Sequence, residues 1–240
     1  YRLRADPDYL ARQWRKAGIA ALQVAAWHFH EADAGRDKYL DALIEACHKQ
    51  AILVYAWIEL PHVSEKFWQD HPEWREKTAL GQDAHLDWRK LMNLADPACA
   101  RAAAAGLTEL AGRFDWDGVN LGELYFESLE GHENPARFTP FNATVRGRFQ
   151  AEAGFDPRDL YDRQSAHYYT RSAASLRKFL EFRANLAAHL QEEWLDRLGE
   201  IKRAKPHLDL VLTHIDDRFD ASMRDKLGAD APRLLATAQE

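Results

Sequence analysis

The chain alternates between stretches with helical spacing of apolar residues and short runs that are almost wholly apolar. Helical spacing predicts helices at 8–17, 36–49, 97–112, 139–153, 157–164 and 170–205. The apolar runs, typical of strands covered on both faces, lie at 19–29, 51–59, 118–125 and 208–217. Because strands separated by helices are joined by right-handed crossovers, this order predicts an α/β fold with a parallel sheet.

Polar and aromatic residues gather at the C-terminal end of each predicted strand. These strand ends carry Trp27, His28, His30 and Glu31, then Trp57 and Glu59, then Glu123, Tyr125 and Glu127, and finally His214, Asp216 and Asp217. Active sites of TIM (β/α)8 barrels form at this end of the strands, so we predict that fold. Four strands do not close a barrel of eight, so either weak strands lie in the long connections or the barrel is incomplete in this sequence.

Composition sets the broad class of protein. With 240 residues and 46% hydrophobic content, the chain can bury a full core, and we expect a single domain over residues 1–240 that is part of a longer protein. The net charge of −6 comes without a Lys/Arg run, which argues against nucleic acid and against an anionic membrane surface. We expect a soluble protein; a secreted or periplasmic location is open if a signal lies outside this sequence. The oligomeric state is open too.

One passage resembles a known family. Asn93-Leu94-Ala95-Asp96-Pro97, an Ala-rich helix and then Phe114-Asp115-Trp116-Asp117-Gly118-Val119-Asn120-Leu121 is similar to a passage of (β/α)8 glycoside hydrolases. The resemblance is to α-amylase-like enzymes and, more closely, to the hypothetical glycosyl-hydrolase-like families. Phe182-Arg183 and the later Lys205-Pro206-His207-Leu208-Asp209-Leu210 resemble another passage of those barrels. The match covers about half of the chain.

The resemblance implies cleavage of a glycosidic bond by two carboxylates, one protonating the leaving oxygen and the other attacking or activating water. Glu123 is the candidate for the general acid, because the apolar neighbours Leu124 and Phe126 would raise its proton affinity by desolvation. The sequence departs from the α-amylase-like pattern at Gly122, where that pattern has its nucleophilic Asp. Side-chain alternation also turns Glu123 away from Asn120 unless the strand ends or bulges at Gly122.

The second carboxylate is less well defined. Five acidic residues at strand ends are candidates: Asp216, Asp217, Glu59, Glu31 and Glu127. Asp216 is favoured because it shares strand parity with His214, although it could instead cap the next helix, and the partner could also come from the rest of the barrel. Whether the reaction retains or inverts configuration is open, because the outcome depends on a carboxylate separation of roughly 5 or 6.5–9.5 Å.

Further residues are candidates for substrate binding. Trp27, Tyr55 and Trp57 would form a floor on which sugar rings stack. The candidates for binding substrate through polar groups are His28, Glu59, Asn120, Tyr125, Arg183 and His214. The long segments 61–96 and 128–140 could wall an extended cleft, which favours an oligosaccharide or polysaccharide, and we expect no cofactor.

Two other functions fit the same residues. His28, His30, His214 and Asp216 together resemble an amidohydrolase ligand set that would bind zinc and activate water. A carbohydrate-binding barrel without catalysis is the third hypothesis, and the glycine at position 122 favours it.

Overall fold

The structure is a computed structural model that describes residues 5–29 and 31–237, with only the backbone described at His28 and Phe29. Its helices are α1 (Pro7–Lys16), α2 (Ala34–Lys49), α3 (Glu65–Asp70), α4 (Pro97–Arg113), α5 (Ala143–Ala153), α6 (Ala173–Ala204), α7 (Ser222–Leu227) and α8 (Ala231–Thr237). Its strands are β1 (Ala21–Ala25), β2 (Leu53–Glu59), β3 (His85–Leu86), β4 (Arg89–Lys90), β5 (Gly118–Gly122) and β6 (Asp209–Thr213). Short 3₁₀ helices lie at Ala26–Phe29, Pro72–Trp74 and Pro157–Tyr161.

Side-chain caps set where several helices begin. The carboxylate of Asp6 accepts from the backbone N–H of Tyr9 at 2.7 Å at the start of α1, and Asp33 accepts from the N–H of Arg36 at 2.8 Å at the start of α2. Each cap satisfies an amide that has no partner inside the helix. No helix in the described ranges is both long and apolar enough to cross a membrane.

Two compact units make up the chain. The first consists of the chain up to Glu59, Ala102–Gly122 and Arg197–Thr213. The second consists of Leu60–Arg101, Glu123–Asp196 and the chain from His214 onward. The prediction of a single domain over residues 1–240 stays a prediction.

The first unit contains a four-stranded parallel sheet in the order β1-β2-β5-β6. The strands follow one another in chain order without a reversal, as in a barrel, whereas a doubly wound sheet reverses at a switch point. Val54, Ala56 and Ile58 are buried on one face of β2, and Tyr55 and Trp57 lie on the other. This confirms the predicted α/β class with a parallel sheet.

The second unit contains the long connection between β2 and α4 and the segments that follow β5 and β6. The connection, for which the sequence predicts no regular element, holds α3 and the antiparallel hairpin β3–β4. A cluster of phenylalanine rings packs where α5 and α6 meet: Phe138, Phe141, Phe149, Phe155, Phe179 and Phe182. This aromatic core holds the segments after β5 against a helix of 32 residues.

Most predicted elements are observed, and they differ from the predictions mainly at their ends. The first predicted strand, 19–29, is shorter than expected because the chain turns into a 3₁₀ helix at Ala26. The third, predicted as 118–125, ends at Gly122. The predicted helix at 157–164 is a 3₁₀ helix of five residues, Pro157–Tyr161. The strand end at Gly122 is the one on which the position of Glu123 depends.

Candidate functional site

The acidic loop, Glu123–Glu127, starts where β5 stops. Glu123 has φ +60°, a left-handed conformation that is uncommon for residues other than glycine. The loop turns at once, with the N–H of Tyr125 donating to the carbonyl of Glu123 at 2.7 Å. Strained backbone of this kind is concentrated at functional sites. Because β5 ends at Gly122, the alternation of side chains along the strand does not set the direction of the Glu123 side chain. This is the condition that the sequence analysis set for Glu123.

Arg89 connects the two acidic residues of this loop. Its Nη2 donates to Glu123 Oε2 and its Nη1 to Glu127 Oε1. The three side chains are 14%, 25% and 12% exposed for Arg89, Glu123 and Glu127, so the cluster is largely withdrawn from water. Since one guanidinium group contacts both carboxylates, the two lie close enough to act on one substrate.

An exposed indole ring lies beside this cluster. Asp87 and Trp88 form the two-residue turn between β3 and β4, and Arg89 follows directly. The guanidinium carbon of Arg89 lies 5.1 Å from the centre of the Trp88 ring, and the His62 ring meets the indole edge-on at 4.9 Å. Trp88 is nevertheless 57% exposed, so a face of the ring is open to a flat apolar ligand surface.

Two hydrogen bonds anchor the acidic loop to neighbouring elements. Gln191, buried on α6, donates to the carbonyl of Leu124 at 2.8 Å. The N–H of Phe126 donates to the carbonyl of Leu227 at 2.9 Å. Both bonds hold the backbone between the two carboxylates, so the carboxylates project from a fixed support.

Asp216 has a local partner. Its carboxylate accepts from Arg218 Nε at 2.7 Å and Nη2 at 2.6 Å, and from the Arg218 backbone N–H at 3.1 Å. The side chain is 29% exposed, and the Arg218 contacts lower the pKa of Asp216 below its ordinary value. These contacts stay within the turn after β6, and the N-cap residue of the next helix, α7, is Ala221, so Asp216 does not cap that helix. The structure links Glu127, and not Asp216, to Glu123 through a shared contact.

His214 and Tyr125 lie together, as the sequence suggested for two strand ends. Their ring centres are 6.0 Å apart in an edge-on arrangement, and Tyr125 packs with Leu227 and Ala229. Burial lowers the pKa of His214, against the smaller raising influence of Asp217, Asp230 and Asp216. A histidine that is neutral at physiological pH can donate or accept a hydrogen bond, which keeps His214 a candidate for hydroxyl binding.

The predicted site residues on the sheet form hydrogen bonds with other side chains of the sheet. Trp57 Nε1 donates to Glu59 Oε1 at 2.8 Å, and Asn120 both donates to Gln23 Oε1 at 3.0 Å and accepts from Thr213 Oγ1 at 3.1 Å. A Cβ atom at Gly122 would lie 2.9 Å from Cζ2 of Trp57. The Trp57 ring therefore occupies the space beside Gly122.

Tyr55 belongs to the opposite end of the sheet. Its hydroxyl donates to Asp209 Oδ2 at 2.7 Å, at the first residue of β6, and this contact raises the pKa of Tyr55 to about 12. Its ring also covers Gly118, the first residue of β5. Tyr55 thus lies at the amino ends of β5 and β6, and we remove it from the candidate site.

Two other predicted contacts with substrate conflict with burial. Arg183 is fully buried, and its three nitrogens donate to the protein; the acceptors are the carbonyls of Thr139, Asp225 and Lys226 and the hydroxyl of Ser128. Trp27 is only 4% exposed, so its ring faces are covered. Arg183 therefore fastens loops together, and neither residue stays in the candidate site.

The amidohydrolase ligand set rests on residues that are only partly described. His30 lies outside the described residues, and the side chain of His28 is not described. Within the ranges 5–29 and 31–237, no three or more His, Cys, Asp or Glu side chains are grouped so that they could hold a metal ion.

Known structures share this fold. The chain superimposes on a β-galactosidase from the psychrophilic Marinomonas ef1 with a TM-score of 0.64 at 12% identity, covering 98% of this chain and 37% of that one. For a β-galactosidase from the haloarchaeon Halorubrum lacusprofundi the TM-score is 0.60 at 12% identity, with 86% and 34% covered. For α-L-fucosidase isoenzyme 2 from Paenibacillus thiaminolyticus it is 0.53 at 18% identity, with 92% and 31% covered.

These neighbours define the class of fold. The chain has the α/β fold of TIM-barrel glycoside hydrolases, as a partial barrel, and it spans about a third of the length of the solved chains. No protein-family model matches the sequence. No curated protein matches it either. The likeness therefore defines the fold without a specific family.

Proposed function

We propose that this chain is a glycoside hydrolase-like domain that cleaves a glycosidic bond in an oligosaccharide or polysaccharide with Glu123 and Glu127. The observation that carries the proposal is the binding of both carboxylates by Arg89. Glycoside hydrolysis needs two carboxyl groups on either side of one bond, and this cluster provides two acidic groups at one strand end.

The two carboxylates take different roles in this proposal. Glu127 has the less exposed side chain and serves as the charged group, either the nucleophile or the base that activates water. Glu123 is the proton donor predicted from the sequence. An adjacent guanidinium favours the charged form of a carboxylate, so Glu123 donates a proton only after Arg89 has turned to the substrate.

Trp88 supplies the platform in the proposed site. Sugar rings present an apolar face of C–H groups, and an exposed indole next to the catalytic pair can stack on it. His214 and Tyr125 are the proposed polar contacts. This assignment replaces Trp27 and Tyr55, whose rings are occupied elsewhere in the protein.

The test is turnover of soluble polysaccharides and aryl glycosides, measured as released reducing ends or phenol. Glu123→Gln and Glu127→Gln should each lower turnover by roughly 10²- to 10⁴-fold, the usual contribution of acid–base groups, while binding stays near normal. Asp216→Asn is the matched control and should retain activity. Equal loss in all three variants, or loss in Asp216→Asn alone, would contradict the proposed pair.

A second candidate is carbohydrate binding without catalysis. Two observations favour it: Arg89 contacts both carboxylates of the acidic pair, and Trp57 fills the space next to Gly122. This alternative predicts no turnover by the unaltered protein, with glycan affinity that falls about two- to tenfold in Trp88→Ala. Affinity electrophoresis in polysaccharide gels measures the second quantity.

A further inference from the structure

Glu76 has a backbone position fixed on both sides. Its N–H donates to the carbonyl of Leu91 at 2.9 Å, and its carbonyl accepts from the N–H of Ala84 at 2.8 Å. The side chain of Asn142 holds the flanking residues, accepting from the N–H of Lys77 at 2.9 Å and donating to the carbonyl of Arg75 at 2.8 Å. The Glu76 side chain is therefore directed by a rigid segment.

The Glu76 side chain ends in an apolar interior. The residue is 2% exposed, and no hydrogen-bond partner for its Oε1 occurs among the residues that the structure describes. It lines a small cavity with room for roughly one water molecule. Leu124, Tyr125 and Phe126 line the same cavity. These three residues are the part of the acidic loop between Glu123 and Glu127.

Several charged or titratable groups act on Glu76 from the elements around it. Burial raises the pKa of Glu76 to about 7, while the Thr139 hydroxyl and the Arg183 guanidinium lower it and the negative charge of Glu127 raises it. Burial also raises the pKa of the Cys99 thiol to about 12, and the negative charges of Asp96, Glu76 and Glu73 raise it further. Because the negative charge of Glu127 acts on Glu76, ionising both carboxyl groups costs free energy.

The two carboxyl groups differ in how their charge is compensated. Glu127 contacts the Arg89 guanidinium, whereas Glu76 Oε1 has no hydrogen-bond partner among the described residues, and only the Thr139 hydroxyl and the charge of Arg183 favour the ionised form of Glu76. We propose that Glu76 is a positioning residue that holds a proton in the cavity wall, so that Glu127 carries the negative charge of the pair. This role concerns only which carboxyl group holds the proton, and no other bond is made or broken.

The catalytic consequence rests on the proposed function. When Glu76 loses its proton, a second negative charge appears behind the acidic loop and disfavours further negative charge there. Turnover should therefore decrease as the pH rises, and the midpoint of this decrease should equal the midpoint of the Glu76 titration. In Glu76→Gln, the side chain keeps its shape but cannot ionise, so this alkaline decline should disappear.

The decisive experiment is a pH titration of the glutamate carboxyl carbons by ¹³C NMR on the intact protein, with Glu76→Gln used to assign the Glu76 signal. We expect the Glu76 signal to titrate near neutral pH and to shift to a lower midpoint in Glu127→Gln. Glu130→Gln is the control for Glu127→Gln, because Glu130 is an exposed carboxylate three residues after Glu127. A Glu76 signal already ionised at pH 5, or an unchanged midpoint in Glu127→Gln, overturns the inference.

This titration needs no substrate, so it separates the inference from the proposed function. If the coupling is found and no variant or unaltered protein turns over a glycan, the hydrolase proposal fails and the proton-holding role stands. If turnover is found and the alkaline decline persists in Glu76→Gln, Glu76 does not act on the acidic loop and the inference fails.

Discussion

The ends of β5 and β6 look alike in sequence and differ in structure. Each strand runs into acidic residues beside an aromatic or imidazole ring. After β6, Asp216 pairs with Arg218, two residues away in the same exposed turn. After β5, Glu123 and Glu127 pair with Arg89, 34 and 38 residues away. A carboxylate satisfied by its own turn is explained by local structure, whereas one held by a distant arginine requires the tertiary fold.

Removing the distant arginine should give the largest effect. Arg89→Ala removes the guanidinium that contacts two mostly buried carboxylates, which by analogy with broken buried ion pairs costs on the order of 3 to 5 kcal/mol of unfolding free energy. Arg218→Ala removes the corresponding arginine after β6, where water replaces it, and should leave stability unchanged. Urea denaturation at pH 7 compares the two variants. Equal losses would remove the distinction between the strand ends.

The loss in Arg89→Ala should also depend on pH. At acidic pH the two carboxylates become protonated in the variant, so its deficit relative to the unaltered protein should shrink. A deficit that stays constant from pH 4 to pH 8 would mean that Arg89 acts by packing and not by charge.

Glu76 should produce the next largest effect, as a pH dependence of stability. Its folded-state pKa of about 7 lies above the ordinary value of 4.5, so the folded protein holds this proton more tightly than the unfolded chain. The stabilisation is complete below pH 4.5, declines between pH 4.5 and 7, and is lost above that. At about 1.4 kcal/mol per pKa unit, the loss amounts to roughly 3 kcal/mol.

Glu76→Gln should remove this dependence, and thermal melts over the same pH range measure it. Glu73→Gln is a suitable control, because Glu73 lies three residues earlier in the same segment and its side chain is 58% exposed. A stability profile in Glu76→Gln that matches that of the unaltered protein would show that Glu76 is ionised throughout.

A smaller effect should come from adding a side chain at the end of β5. In Gly122→Ala, the new Cβ lies 2.9 Å from Cζ2 of Trp57, so the ring or the strand has to move. Overpacking of this kind costs about 1 to 3 kcal/mol. The Gly147→Ala control, in α5, meets no atom within 4 Å and should not destabilise. Trp57→Leu should relieve the cost at Gly122, as a double-mutant cycle would show.

The sequence predicted what depends on short-range patterns. Apolar periodicity predicted most helices and all four strands of the parallel sheet, and the order of elements gave the α/β class. Glu123 and Glu127 were both recognised as candidates because they lie at or just beyond the C-terminal end of the predicted strand 118–125. The end of β5 at Gly122 was foreseen as a condition for Glu123.

The sequence could not predict which distant residues meet. Arg89 and Trp88 lie in a long connection that showed no regular pattern, and the hairpin that presents them has strands of only two residues. Glu76 was missed because a buried glutamate looks like any other charged residue until its surroundings are known. Arg183 was misassigned for the same reason, since a helix pattern does not reveal that each guanidinium nitrogen finds a protein acceptor.

The turn that carries Trp88 is fastened at its first residue. Asp87, with φ +58°, accepts two hydrogen bonds from Arg137, at 3.0 and 2.8 Å, so the tip of the hairpin is tied to a second segment. Because this turn is held in place, the Trp88 ring has lost much of its conformational freedom before a ligand binds. A ligand that stacks on Trp88 would then lose little conformational entropy of the protein on binding. The affinity gained there would appear as a slower dissociation rate, with the association rate little changed.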